Sequence, residues 1–153
     1  MTYSLSVSKI IDTVQAIAAL HIFSAPAGRC EALTSMLAPS RHDLMEVLAK
    51  DAFAETLVAI LPYVADSNLD SCDSSGMLTV EISSIIRIPD GAHPVVRRSL
   101  EQSIAYRIFN LCLLSLPGDD ASLAEEMSHK ANFHLDKAVD LLRSGRANHP
   151  FIR

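Results

Sequence analysis

The residues from Ile85 to Ile104, IIRIPDGAHPVVRRSLEQSI, change their hydrophobic period at the turn formed by Pro89, Asp90 and Gly91. Before the turn, apolar residues alternate with polar ones, which is typical of a β-strand. After it, they recur every three or four positions, which is typical of an α-helix. A strand carries backbone donors and acceptors along both edges, and these groups need hydrogen-bond partners. The fold must therefore provide a partner for this strand.

The alternation extends over residues 78–88 and predicts a strand or hairpin there. Its apolar face consists of Leu78, Val80, Ile82, Ile86 and Ile88. Three pairing partners for this strand are possible. The segment could turn back on itself near Ser83-Ser84, or pair with Thr2–Val7, where apolar residues also alternate, or add a strand to a neighbouring subunit. The third alternative makes Val80, Ile82 and Ile86 candidate interface residues.

The rest of the chain predicts four helices, at about 8–22, 40–62, 94–116 and 120–143. A length of 153 residues with 49% apolar and 20% charged residues fits a single globular domain. We therefore predict a mainly α fold, in which four principal helices form a bundle with a small β element. Gly145 is expected to cap the last helix, and residues 144–153 are expected to form a flexible basic tail.

Each predicted helix has an apolar face at helical spacing. The face of the first helix is formed by Ile10, Ile11, Val14, Ile17 and Ala18. The broad face of the second helix is formed by Leu44, Val47, Leu48, Ala54, Val58 and Leu61. The seam of the third helix is formed by Val96, Leu100, Ile104, Ile108 and Leu111. In the fourth helix the apolar contacts come from Leu123, Met127, Leu135, Ala138, Leu141 and Leu142.

No motif in the sequence indicates catalysis. The pair Glu126-x-x-His129 has the ligand spacing of di-iron bundles, but that chemistry needs a second such pair and two further carboxylates. A solvated helix face is the simpler interpretation. Cys30, Cys72 and Cys112 form no CxxC pair, so they predict neither a zinc site nor a disulfide framework. We predict no catalytic, cofactor-binding or metal-binding residues and expect the protein not to be an enzyme.

Charge and hydropathy narrow the classes of partner. A net charge of −5 argues against sequence-specific or broad nucleic-acid binding, which requires a basic surface. No apolar run reaches the roughly 18 residues of a membrane span, and no secretory signal is visible, so a cytoplasmic location is expected. Neither a small-molecule substrate nor a cofactor is indicated, and protein partners are expected.

Two further groups of residues are candidates for contacts with other proteins. Arg97, Arg98 and Arg107 project from the third helix, either as a solvated face or as an interface, since arginine is enriched where proteins meet. Phe151 and Ile152 lie in the terminal segment HPFIR, which is either a short docking segment or a disordered terminus.

The order of elements resembles a known group of proteins. DLMEVLAKDAFAETLVAILPYV is followed by an acidic loop, then by LTVEISSIIRIPDGAHPVVRRSLEQSIAYRIFNLCLLSL, then by LAEEMSHKANFHLDKAVDLLRSG. This order is similar to that of the small, mostly helical proteins of tailed-phage and prophage structural clusters, of the head–tail connector and tail-completion type. The resemblance covers about Asp43 to Gly145 and rests on the order and length of the elements.

The resemblance implies a non-enzymatic structural or adaptor subunit that assembles into a ring at the neck of the particle. Its partners would be further copies of itself and other phage structural proteins, in the cytoplasm or within a virion. The group has no catalytic signature, so no residue role is transferred. The alternative function is a cytoplasmic protein-interaction or regulatory module unrelated to phage.

Overall fold

A computed structural model describes residues 1–24, 33–35, 37–65, 76–115 and 121–147. The described part is mainly helical and contains the helices α1 (Val7–Ser24), α2 (His42–Ile60), α3 (His93–Leu114) and α4 (Ala121–Ala147). A two-stranded antiparallel sheet is formed by β1 (Thr2–Ser6) and β2 (Met77–Glu81). The predicted fold class, four long helices with a small β element, is confirmed.

Helix α3 is the centre of the bundle and packs against α1, α2 and, most extensively, α4. Of its predicted seam, Val96, Leu100, Ile104 and Ile108 are fully buried, and Leu111 is partly buried. Buried polar side chains need hydrogen-bond partners. Ser103 Oγ donates to the backbone oxygen of Ala131 at 2.9 Å, and Asn110 Nδ2 donates to that of Ala124 at 2.6 Å. These two bonds fix the register of α3 against α4.

The strand is shorter than the predicted element over 78–88, since β2 ends at Glu81, and it finds its partner within the chain. β1 pairs with β2, with Tyr3 opposite Val80 and Leu5 opposite Leu78. On the other edge of β2, Val64 forms a bridge with Ile82. There the Ala65 amide donates to the Glu81 oxygen at 2.8 Å, and the Ser83 amide donates to the Tyr63 oxygen at 2.9 Å. Pairing with the N-terminal segment, the second of the three alternatives, is therefore the observed one.

The assignment of Val80, Ile82 and Ile86 to an interface is wrong. Their exposed fractions are 0%, 1% and 5%, and all three belong to the hydrophobic core of a single chain. The physical reason is that the sheet packs on α3 through β1 and on α2 through β2, while Ile86 lies beside Gly145 of α4. The apolar face of the strand is therefore covered without a second subunit.

The last helix continues past the predicted cap. α4 extends to Ala147, and Gly145 is a buried residue within it. A Cβ atom at Gly145 would lie 3.0 Å from the oxygen of Arg87 and 3.1 Å from Cγ1 of Ile88. The glycine therefore permits close approach of the chain after β2. Residues 144–147 are helical, which corrects the predicted tail, and 148–153 lie outside the described residues.

The predicted apolar face is buried in α1 but mostly exposed in α2. All five predicted core residues of α1 are buried. In α2 the inward face is instead formed by Met45, Ala49, Ala52, Phe53, Leu57 and Ile60. The predicted apolar face points outward, apart from the half-buried Leu48. An amphipathic helix ordinarily buries its apolar side, but α2 is apolar on two sides and can turn only one toward α3.

Candidate interaction surface

The outward side of α2 carries a regular apolar stripe. It consists of five apolar residues and one acidic residue, all exposed, and we call it the outward stripe: Leu44, Val47, Asp51, Ala54, Val58 and Leu61. Successive members of the stripe are separated in sequence by three and four residues in turn, which is the spacing of the a and d positions of a coiled coil. The exposed fractions of Leu44, Val47, Val58 and Leu61 are 45%, 54%, 73% and 48%. Leu61 continues the helical path because its backbone angles are still helical.

This surface is unusual for a chain that works alone. Monomeric proteins rarely expose large contiguous apolar patches, and such patches commonly mark protein interaction sites. An a/d seam in particular is the surface that receives a second helix. The outward stripe is therefore the candidate functional surface of the described chain. The sequence signal that could have found it is the presence of two apolar sets at helical spacing in one helix, the outward one interrupted only by Asp51.

Charged residues accompany the stripe. Lys50 and Asp51 are exposed, and neither forms an ion pair with another described residue. Glu55, one turn further along, pairs through Oε2 with Nε of Arg107 at 3.2 Å. Near the start of α2, Glu46 lies 3.4 Å from the ring of His42. Near its middle, the stripe is therefore accompanied by a lysine and a carboxylate that pair with no other described residue.

Arg107 belongs to the bundle itself. In addition to Glu55 of α2, its guanidinium donates to Oδ1 of Asn132 at 3.1 Å and to Oγ of Ser128 at 3.4 Å, both on α4. The side chain is only 25% exposed. Arg107 therefore connects three helices of one chain, and its assignment to an interface stays a prediction.

Arg97 and Arg98 are exposed on α3, as an interface residue must be. They line a depression of about 650 Å³ between α1 and α3, together with Lys9 and Asp12. Neither arginine forms an ion pair with another described residue. Acidic and basic residues are mixed in this depression, so it does not define one class of partner. The assignment of both arginines to an interface stays a prediction.

A smaller depression of about 370 Å³ lies beside the N-terminal end of the sheet. The hydroxyl of Tyr3 lies 2.9 Å from Nδ1 of His93, and this contact joins β1 to the start of α3. Burial raises the pKa of Tyr3 to about 12. The phenol therefore stays protonated at neutral pH and cannot serve as a base there. Its role is to hold the sheet on the helix.

The other side chains that could bind a metal ion or take part in catalysis are either scattered over the surface or buried. His129 lies 3.7 Å from Glu125, and Glu126 pairs with Lys130 at 2.7 Å, which lowers the pKa of Glu126. Within the described ranges, no three His, Cys, Asp or Glu side chains are placed to hold a metal ion. Burial raises the pKa of the Cys112 thiol to about 11, so this thiol is a core group. Phe151 and Ile152 lie outside the described residues.

No family model, curated protein or solved structure matches the chain. None of the described helices combines the length and the hydropathy needed to cross a bilayer.

Proposed function

We propose that this chain is a non-enzymatic subunit that acts by contacting other protein chains. The observation that carries the proposal is the outward stripe of α2. Each Å² of apolar surface removed from water contributes about 25 cal/mol, so covering four half-exposed aliphatic side chains with another helix is favourable. The stripe lies on a long helix whose opposite side is anchored in the core, which makes it a firmly held surface.

In its narrower form, the proposal places the chain in a phage- or prophage-derived assembly, as a head–tail connector or tail-completion subunit. This part is supported by the resemblance in the order and length of elements between Asp43 and Gly145. The same surface would also serve a cytoplasmic interaction or regulatory module. The two functions differ in the partner, and genes for portal, capsid or tail proteins beside this gene would favour the first.

The test is the composition and shape of the particles made by the strain that carries the gene. We expect the protein in purified particles at a fixed ratio to the other structural proteins. Deleting the gene should leave heads and tails unjoined in negative-stain electron micrographs. Complete, infectious particles that lack the protein would overturn the narrower proposal.

A complementation series tests whether the stripe is the working surface. The wild-type gene should restore joined particles to the deletion strain, whereas Val58→Asp should not. Phe133→Asp is the matched control, because Phe133 is 65% exposed but lies on α4. Full restoration by Val58→Asp would show that the outward stripe is not needed.

A further inference from the structure

We propose that His134 is a pH-sensitive latch between α3 and α4, which packs against α3 while its ring is neutral and swings out of the contact when its ring is protonated. The inference goes beyond the proposed function, because the latch lies on α4 and the outward stripe lies on α2. It assigns a regulatory device to the most extensive contact between two helices of the fold.

The ring of His134 lies flat against a side chain of α3. Its plane is within 5° of the plane of the Tyr106 ring, and the two centroids are 5.5 Å apart. Phe133 meets the same histidine ring edge-on, with 5.4 Å between centroids. Stacked and edge-on arrangements are both favourable for aromatic rings. The contact lies one turn beyond the bond from Ser103 to Ala131, so it continues the seam between the two helices.

The orientation of the ring leaves one nitrogen without a partner. Nδ1 of His134 is buried and forms no hydrogen bond with another described residue. A neutral imidazole carries a proton on only one nitrogen, so Nδ1 can stay unprotonated while Nε2 holds the proton. In the imidazolium form both nitrogens carry protons, and a buried N–H group that lacks an acceptor is unfavourable. The closed contact therefore favours the neutral ring.

Cations surround the ring on both helices. Arg98 of α3 and Lys137 of α4 line one depression between the two helices. Lys130, one turn before His134, has its Nζ atom 5.8 Å from the centroid of the Tyr106 ring, although its own charge is paired with Glu126. Burial lowers the pKa of His134, and the charges of Lys137 and Arg98 lower it further. The cationic ring is therefore disfavoured by burial and by both neighbouring charges.

Carboxylates of the described helices do not offset these cations at the ring. His134 forms no ion pair with another described residue. Glu101 of α3 lines the depression toward α1, and Asp136 of α4 lines the depression beside Phe133. The attraction between a cationic ring and the face of Tyr106 is the one interaction that favours a charged, closed latch. It acts against the buried N–H group and two cations, so the protonated ring is more favourable in water.

The ring can reach water without unfolding the helix. His134 is half-buried, and rotation of its side chain to another staggered conformation brings both nitrogens to the surface. The movement uncovers the face of Tyr106 near Phe133, whose exposed fraction is already 65%. The acid form therefore presents a larger aromatic surface than the neutral form.

The latch should act between neutral and mildly acidic pH. An unfolded chain takes up the proton of this histidine around the ordinary pKa of 6.5, whereas the folded chain takes it up at a lower pH. The latch therefore contributes fully to stability above pH 6.5, and its contribution is lost as the pH falls below that value. Histidine is the side chain that ordinarily changes charge in this range.

An NMR titration of the wild-type chain tests the latch directly. Nuclear Overhauser effects between the rings of His134 and Tyr106 should be present at about pH 8 and should be lost in step with protonation of His134. The same histidine should titrate at a lower pH in the folded chain than in the chain unfolded by urea. Two results would overturn the proposal. One is a folded-state titration at or above the value in urea, and the other is a ring contact that persists after protonation.

A pair of substitutions on α4 isolates the titrating nitrogen. His134→Phe keeps a flat ring against Tyr106 but cannot be protonated, so it should reduce the loss of unfolding free energy between about pH 7 and about pH 5. His129→Phe is the matched control, because the His129 side chain is 76% exposed and lies on the same helix. It should leave most of that loss in place.

Denaturant unfolding at a series of pH values measures the three chains. His134→Gln provides a second side chain that cannot be protonated and serves if His134→Phe does not fold. A wild-type dependence on pH that survives at full size in the His134 variant, or that only His129→Phe removes, would overturn the latch.

Discussion

The backbone oxygen of Gly145, in the last turns of α4, accepts a hydrogen bond from the backbone amide of Arg87 at 3.2 Å. This bond joins the end of the longest helix to the segment that follows β2. The two backbones can approach so closely only because residue 145 has no side chain.

Replacing Gly145 with Ala should therefore destabilise the fold by about 1–3 kcal/mol, the usual cost of overpacking. In an open helix the same change would stabilise by up to about 1 kcal/mol. The new Cβ would lie 3.0 Å from both the Arg87 oxygen and Cγ2 of Ile86. Gly91→Ala is the control, since no atom lies within 4 Å of a Cβ built there. Urea unfolding of both variants checks the prediction, and a Gly145→Ala chain as stable as the wild type would contradict it.

Ile82 and Ile85 provide a matched pair that tests whether the apolar residues just after β2 are buried within one chain. Ile82 is 1% exposed and Ile85 is 41% exposed. Ile82→Ala should lower the free energy of unfolding by about 2–5 kcal/mol through lost contacts and a cavity. Ile85→Ala should change it by about 0.5 kcal/mol or less. The loss at Ile82 should be the same at all protein concentrations, because it arises within one chain. A loss that disappears on dilution would return Ile82 to an interface.

The buried phenol of Tyr3 predicts a loss of stability at high pH. Its pKa is about 12 in the folded protein and 10.0 ordinarily, so the folded state favours the protonated form. This contribution is complete below the ordinary pKa and is lost as the pH rises from about 10 to about 12. Tyr3→Phe should therefore flatten the dependence of unfolding free energy on pH in that window.

At neutral pH the same variant should cost about 1 kcal/mol, because the hydrogen bond to His93 is lost. Denaturant unfolding at a series of pH values measures both effects. Parallel curves for the wild type and Tyr3→Phe above pH 10 would mean that Tyr3 ionises as freely in the folded chain as in the unfolded one.

The link between Glu55 and Arg107 should contribute little by itself. The two side chains are 58% and 25% exposed, and pairs near the surface typically have coupling energies of about 0.5 kcal/mol. A double-mutant cycle with Glu55→Ala and Arg107→Ala measures this energy. Arg107→Ala alone should cost more than Glu55→Ala, since it also removes the bonds to Ser128 and Asn132. Equal costs would show that the contacts with α4 contribute nothing.

Sequence periodicity identified the inward face of α1 and the seam of α3, but α3 is the central helix and also buries residues outside that seam, such as Phe109 and Leu113. Periodicity failed for α2, in which Leu44, Val47 and Val58 form one apolar set and Met45, Phe53 and Ile60 form another. Both sets follow the helical period, so the period cannot show which one faces α3. The choice depends on how side chains of different size fit together in three dimensions.

For the β element, too, the sequence period does not show which neighbour the apolar face packs against. Alternation identified the buried residues of the β element, including Val80 in β2 and Ile82 just after it. A period of two contains no information about the neighbour of a strand. The partner, around Tyr3 and Leu5, is only five residues long and far away in the sequence. Gly145 was interpreted as a cap because glycine often ends helices, whereas its position inside α4 depends on a contact with Arg87.

The pairing of β1 with β2 has a consequence for the protein while it is being made. The ribosome releases β1 and α1 well before β2, which comes about half a chain later. At roughly 5–20 residues per second, the first strand waits on the order of 4–15 s for its partner. During that time its alternating apolar residues are available to other nascent chains and to chaperones. Slower translation between the two strands should therefore increase aggregation without any change in the stability of the finished protein.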